Sequence, residues 1–299
     1  MRVHQECTVN RLKRPLFAAA AVIAICCASQ VHGVDTPPSL ERIAVGAYQM
    51  QMAEQGSGRY TVIFESGFAT GMGTWRKVAP ELAKSAHVVT YSRAGLGASQ
   101  ARPEPRTMLQ SSLELDQLIA SAKLKPPFIL VGHSYGGLLA RAFAVRHPEQ
   151  VAGMVLVDPA DERFNPALRR LDAKRAAEDD RQFEALVPEK FRAELKLLQP
   201  VLDSGVLPAP LDGKLPDVPV VILTSVQQVD KPEFFLQSVE AVAIKRDLHA
   251  DFLRRFSDGS QVQTLKSGHN IQQEEPELVI AAVKKVMAAA DRQAALGKL

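Results

Sequence analysis

Residues 129–141 read ILVGHSYGGLLAR. Ile129, Leu130 and Val131 lead into Gly132-His133-Ser134-Tyr135-Gly136, and a run with helical spacing follows. This is a G-x-S-x-G motif between a strand and a helix, the context in which such a serine occupies a tight, strained turn. Small residues two positions before and two after it let the turn close without a Cβ clash. The turn lifts the Ser134 hydroxyl above the sheet, and the helix N-terminus behind it offers free N–H groups to a developing oxyanion. Ser134 is the candidate nucleophile. The bland alternative is a glycine-rich strand-to-helix turn.

Working outward, strand-like and helix-like runs alternate. Residues 42–54 suggest two short strands. TVIF (61–64) runs into the glycine-rich ESGFATGMG, and TWRKVAPELAKSA (74–86) has helical spacing through Trp75, Val78 and Leu82. HVVTY (87–91), FILVG (128–132), GMVLV (153–157), VPVVILT (218–224) and QVQTL (261–265) are strand candidates. Residues 107–123 put Leu109, Leu113, Leu115, Leu118 and Ile119 on one helical face. A further helix over 134–147 stops at Pro148, and 276–290 predicts a closing amphipathic helix. Continuous apolar strands alternating with helices predict a mostly parallel sheet covered on both faces. Residues 160–215 break the alternation: they hold no strand candidate, many charges and helix-like stretches. They predict a helical insertion, read as a lid because insertions at this edge sit over the ligand crevice.

A serine hydroxyl is a weak nucleophile without a base. Beyond residue 33 there are five histidines. His87 opens a strand, His133 lies inside the motif, His147 precedes a proline and His249 lies in a polar helical stretch. His269 sits in LKSGHNIQQEEPELV, just past the last predicted strand, where a loop can return imidazole to the serine. It is the candidate general base.

ESGFATGMGTW, VVTYSRAGLGAS, LVGHSYGG, MVLVDPA and SGHNIQQEEPE, in this order over residues 40–290, resemble the α/β-hydrolase superfamily, in its lid-bearing esterase and lipase lineage. The resemblance implies an α/β fold with an eight-stranded sheet flanked by helices, the serine after the fifth strand and the histidine after the eighth. Its oxyanion hole takes two main-chain N–H groups, here those of Tyr135 and Phe68. The family commonly has His-Gly-X before the second donor; this chain has Ser66-Gly67-Phe68. Ser92 stands where the family usually has an aspartate before Arg93, and no activity attaches to it. For the acid that orients the histidine, two places are open. Asp158 ends the sixth strand in a stretch like that of pancreatic-type lipases. Asp230 lies in the loop after the seventh strand, but without the usual Gly-x-x-Asp. Asp158 is the first candidate, Asp230 the alternative, with Asp161 or another acid behind them.

Residues 1–33 have the form of a secretory signal peptide: a basic start (Arg2, Arg11, Lys13, Arg14) and an apolar run from Leu16 to Ala28. Such a run is too short to span a bilayer, which needs about 20 residues. Periplasmic or secreted location is expected. All three cysteines (Cys7, Cys26, Cys27) lie in this segment, so the exported chain uses no disulfide or thiol. It also holds four Lys/Arg and one acid of the chain's 36 and 33, leaving no basic excess that would point to nucleic acid. The expected organisation is a core of 34–159 and 216–299, with the lid at 160–215. No metal motif and no dinucleotide or P-loop glycine pattern is present, so no cofactor is expected. A serine at the elbow argues against the epoxide hydrolases and haloalkane dehalogenases of the fold, which need a carboxylate there. The expected substrate is a small ester with an apolar acyl or alkyl part, and no obligate protein partner is evident. Carbon–carbon bond hydrolysis, amide hydrolysis and cofactor-free perhydrolysis remain open on the same fold, as does a catalytically silent binding protein.

Overall fold

The computed structural model describes residues 39–102 and 104–297; the leader expected over 1–33 lies outside them. The described chain enters through a hairpin, β1 (Ser39–Val45) and β2 (Tyr48–Gln55), turned at Gly46 with φ +60°. Then come β3 (Thr61–Glu65), α1 (Ala79–Ala83), β4 (His87–Tyr91), α2 (Met108–Ala122), β5 (Phe128–His133), α3 (Tyr135–Arg146) and β6 (Val151–Val157). Two long helices, α4 (Phe164–Leu186) and α5 (Glu189–Ser204), precede β7 (Val220–Ser225). The chain closes through α6 (Val239–Leu253), β8 (Gly259–Thr264), the short α7 (Ile271–Glu274) and α8 (Pro276–Ala295).

The eight strands form one sheet in the order β1-β2-β4-β3-β5-β6-β7-β8. β2 pairs antiparallel with β1 and β4, and every later pairing is parallel. β3 and β5 lie side by side, yet the chain leaves them in opposite directions, to β4 on one side and β6 on the other. Such a switch point opens a crevice at the carboxyl ends of the strands, where ligands bind.

The sheet is buried on both faces, which is why its central strands are continuously apolar. Phe128 and Leu130 of β5 pack with Leu115 and Leu118 of α2, Phe143 of α3 and Phe252 of α6. Ile129 and Val131 point the other way, into a cluster with Trp75, Leu82 and the α8 residues Val279, Val283 and Val286. Trp75 is fully buried, its ring 4.8 Å from that of Phe64. Truncating such a side chain to alanine costs about 3–5 kcal/mol.

Three local expectations are corrected. Over 74–86 only Ala79–Ala83 is α-helical, with a 3-10 turn at Met72–Trp75 before it. Pro80 explains this: it fits the first turn of a helix but would remove a hydrogen bond from the interior of a longer one. Trp75, Val78 and Leu82 are nonetheless fully buried, so their spacing marks burial rather than one continuous helix. The closing helix runs on to Ala295. A full helix, α6, stands where the sequence suggests only a polar helical stretch around His249. Residues 160–215 hold α4 and α5 and no strand. α4 breaks at Asp172 (φ −155°), whose carboxylate then accepts the N–H groups of Lys174 and Arg175 and restarts the helix.

Candidate active site

Ser134 follows β5 directly and precedes α3, with φ +52° and ψ −122°. A non-glycine residue held there stores about 1–3 kcal/mol of strain. Three main-chain bonds hold it. The Ser134 N–H donates to the Val157 carbonyl (3.1 Å), and the Ser134 carbonyl accepts from Gly137 (2.9 Å) and Ala160 (3.0 Å). The motif's two glycines are required by close approach. A Cβ on Gly132 would overlap the Gly136 carbonyl, and one on Gly136 would overlap the Glu65 carbonyl.

His269 lies in the loop between β8 and α7, which is pinned along its backbone. Ser225 Oγ donates to the Ser267 carbonyl (2.8 Å), Gln227 Nε2 to the Lys266 carbonyl (3.1 Å), and the Gly268 N–H to the Glu274 carboxylate (2.8 Å). His133 Nε2 donates to the His269 carbonyl at 2.9 Å. Because that acceptor is a carbonyl, the His133 proton sits on Nε2. Burial pushes the His133 imidazole down to about 3, so the ring is neutral. The residue immediately before Ser134 thus anchors the backbone of His269, with the two rings 4.7 Å apart.

His269 Nδ1 stands 2.7 Å from Asp158 Oδ2. A carboxylate there accepts the Nδ1–H and leaves the Nε2 lone pair free to take a proton. Asp158 follows β6 with φ +38° and is almost wholly buried. Its N–H donates to the Leu223 carbonyl (2.7 Å), and its Oδ1 accepts the Ser225 N–H (3.0 Å). Lys245 Nζ of α6 lies 2.9 Å from Oδ1 and 3.0 Å from Oδ2. Burial works to raise the Asp158 carboxyl, but Lys245 and then His269 outweigh it and hold the group well below the usual carboxylate range.

The loop after β3 is organised by Arg93. Its guanidinium donates to the Ser66 and Gly67 carbonyls, both at 2.6 Å, and Thr70 Oγ1 adds a bond to Gly67 (3.1 Å). In a trans peptide the carbonyl and the next N–H point opposite ways. The clamp on the Gly67 carbonyl therefore turns the Phe68 N–H away from Arg93. Ser66 Oγ accepts Trp75 Nε1–H at 3.1 Å. Behind the loop lies Glu65, fully buried, its Oε2 3.2 Å from Arg93. Burial raises its carboxyl to about 8 against the pull of Arg93. Tyr135 is the first residue of α3, so its N–H has no helical acceptor. Its ring packs 5.3 Å from the Arg93 guanidinium. One arginine thus touches the peptide that carries the Phe68 N–H, through the Gly67 carbonyl, and the ring of Tyr135.

The helices of 160–215 cover this edge. Phe68 lies 6.4 Å from Phe183 of α4 and 6.3 Å from Phe191 of α5. Tyr135, Leu138 and Leu139 pack with Leu198, Leu207 and Leu211.

The candidate acids separate in space. Asp158 faces His269, whereas Asp230 is exposed in the β7–α6 loop and Asp161 is held by Arg163 at 2.7 Å. Ser92 is structural: its hydroxyl accepts the Met72 N–H at 3.1 Å. The other histidines are held in place. His249 is buried, its Nε2 donating to the Pro159 carbonyl (3.0 Å) and its Nδ1 accepting from Thr224 (2.8 Å). Sequence reasoning missed Lys245 and the clamp role of Arg93. Arg93 stood in the quoted VVTYSRAGLGAS stretch; a lysine on a polar helical stretch carries no comparable signal. Among the described residues no group of three or more His, Cys, Asp or Glu is arranged to hold a metal ion.

A strained serine on a strand-to-helix elbow, at the switch point of an eight-stranded mostly parallel sheet, defines a class. The family model described as the alpha/beta hydrolase fold matches residues 60–200. Over 247 residues the chain is 30% identical to the uncharacterized protein YqjL of Bacillus subtilis (strain 168), covering 81% of this chain and 88% of that protein. The chain belongs to the α/β-hydrolase superfamily. Among solved structures, a membrane phospholipase A described as a bacterial virulence factor matches with a TM-score of 0.60 at 20% identity, over 85% of this chain and 87% of that one. A thermophilic esterase from Thermogutta terrifontis matches with a TM-score of 0.55 at 20% identity, over 84% and 98%. At those identities the likeness is one of fold.

Proposed function

We propose that the protein hydrolyses carboxylic esters through an acyl-enzyme on Ser134. The observation that carries this reading is a histidine whose Nδ1 is held by a buried carboxylate and whose backbone is anchored by the residue next to the strained elbow serine. Ser134 Oγ attacks the ester carbonyl while His269 Nε2 takes the hydroxyl proton. Asp158 stabilises the resulting imidazolium. The N–H groups of Phe68 and Tyr135 receive the oxyanion, and each such donor contributes about 3–4 kcal/mol to the transition state. The intermediate collapses, the C–O bond to the alcohol breaks, and His269 returns its proton to the leaving oxygen. Water then attacks the acyl-enzyme with His269 again as base, releasing the carboxylic acid and restoring Ser134.

The aromatic group Phe68, Phe183 and Phe191, together with the leucines packed on Tyr135, supports an ester with an apolar part. α4 and α5 serve as the lid in this reading. The chemistry needs no cofactor. Export through residues 1–33 belongs to the same proposal, and N-terminal sequencing of protein recovered from the periplasm or medium tests it.

The functional test is turnover of a p-nitrophenyl ester series from acetate to palmitate by wild type, Ser134→Ala and His269→Ala. Turnover that falls by about 10⁴–10⁶ in both variants supports the reading. Undiminished turnover in folded Ser134→Ala, or none in wild type, overturns it.

A further inference from the structure

The carboxylate of Asp158 is shared. Besides His269 it receives the Ser225 N–H on Oδ1 (3.0 Å) and the Lys245 ammonium, 2.9 Å from Oδ1 and 3.0 Å from Oδ2. The lysine side chain is 21% exposed and the aspartate 1%, so this ion pair is largely out of water. Lys245 projects from α6, an element that contributes nothing else to the proposed chemistry.

We propose that Lys245 is a positioning residue of the triad: by bridging both oxygens of Asp158 it fixes the carboxylate against His269 and offsets part of its charge. This rests on the triad reading above. The other charged groups around the pair are already committed. On α6, His249 is neutral, with both ring nitrogens engaged and burial keeping its pKa low. In the loop after β6, Asp161 is paired with Arg163, which also reaches Asp251 (2.6 Å). On α3, Arg141 is paired with Glu162 (2.8 Å). His133, after β5, is neutral. On α7, Glu274 receives the Gly268 N–H. β7 brings Thr224 and Ser225, which carry no charge. Among the described residues, Lys245 is therefore the lysine or arginine that contacts Asp158 directly.

Two consequences follow from the placement. First, a carboxylate with three donors on two oxygens loses its rotational freedom, so Oδ2 stays aligned with His269 Nδ1. Second, a positive charge that bridges both oxygens offsets part of the negative charge that the carboxylate presents to His269. His269 therefore faces a carboxylate whose charge is partly offset. The pH dependence of turnover then carries the mark of the charge at position 245.

The test replaces the charge without emptying the site. In Lys245→Met and Lys245→Gln, the acidic limb of kcat/KM should move up by about one pH unit. The ring titration of His269, followed by NMR and assigned against His269→Gln, should move with it. Lys245→Arg keeps the charge and should restore the wild-type limb. A lysine that only supports the fold would lower the thermal midpoint and leave both titrations where they were, and that result overturns the proposal. If Lys245→Met does not fold, Lys245→Gln carries the same comparison with a hydrogen-bonding side chain. Failure of the hydrolase reading is separate: it shows as absent ester turnover in wild type, while the His269 ring titration still reports on Lys245.

Discussion

His269 Nδ1 and Asp158 Oδ2, 111 residues apart in the chain, meet at 2.7 Å at the carboxyl edge of the sheet. The carboxylate is buried, and the ring it holds has more than half of its side chain exposed. One partner is locked in the scaffold while the other looks outward, an arrangement that suits the base of the proposed reaction.

Asp158→Asn removes the charge and keeps the shape. In the triad reading the imidazolium loses its partner and the tautomer is no longer enforced, so kcat should fall by about 10³–10⁴-fold. Asp230→Asn, on an exposed loop, should leave kcat unchanged. Steady-state kinetics of the two variants, with circular dichroism to verify folding, checks this. Loss confined to Asp230→Asn would reverse the acid assignment.

Arg93→Lys keeps a positive charge beside Glu65 but loses the planar fork that holds the carbonyls of Ser66 and Gly67. The Gly67 carbonyl keeps its bonds from Thr70, so the Phe68 peptide is held less firmly rather than released. kcat/KM should fall by about 10–100-fold, less than the loss of a whole oxyanion donor. The rate of Ser134 labelling should fall in parallel while the thermal midpoint changes little. Unchanged kinetics would remove Arg93 from the account.

His133 links stability to acid. Its folded pKa of about 3 lies below the unfolded value of about 6.5. Above pH 6.5 the ring is neutral in both states and its contribution is fully present. As pH falls below 6.5 the unfolded chain takes up a proton that the native chain refuses until about pH 3. Stability should fall in that window by about 1.4 kcal/mol per pH unit from this group. His249, also lowered by burial, adds a loss of the same sign. His133→Gln retains a donor for the His269 carbonyl but does not titrate. Urea denaturation between pH 7 and pH 4 should show a shallower slope for this variant; equal slopes would contradict the assignment.

Much of this was legible in the chain. GHSYGG between an apolar strand and a helix locates the elbow because only glycines fit where Gly136 meets the Glu65 carbonyl. His269 follows from its place after the last strand. Asp158 could be narrowed but not fixed: a strand-end aspartate and a loop aspartate look alike until the fold shows which one faces the imidazole. Lys245 was invisible, since its role comes from the packing of α6 against β7 and β8 and not from any local motif. The helix expected over 74–86 overran because Trp75, Val78 and Leu82 report burial, which a turn and a short helix supply equally well.

Phe183 of α4 is 43% exposed and lies against Phe68. If this face receives the acyl chain, Phe183→Ala should lower kcat/KM for long-chain esters by about tenfold, the scale of one lost apolar contact. Acetate esters should be nearly unaffected. An equal fall for every chain length would place Phe183 outside the acyl path.

The central claim is that Ser134 is a nucleophile driven by His269. The most direct measurement is labelling with a fluorophosphonate, read by intact mass and peptide mapping, in wild type and in His269→Ala. The account predicts one adduct per chain, on Ser134, forming far more slowly without His269. A folded wild-type protein that takes no adduct, or takes it on another residue, would contradict it.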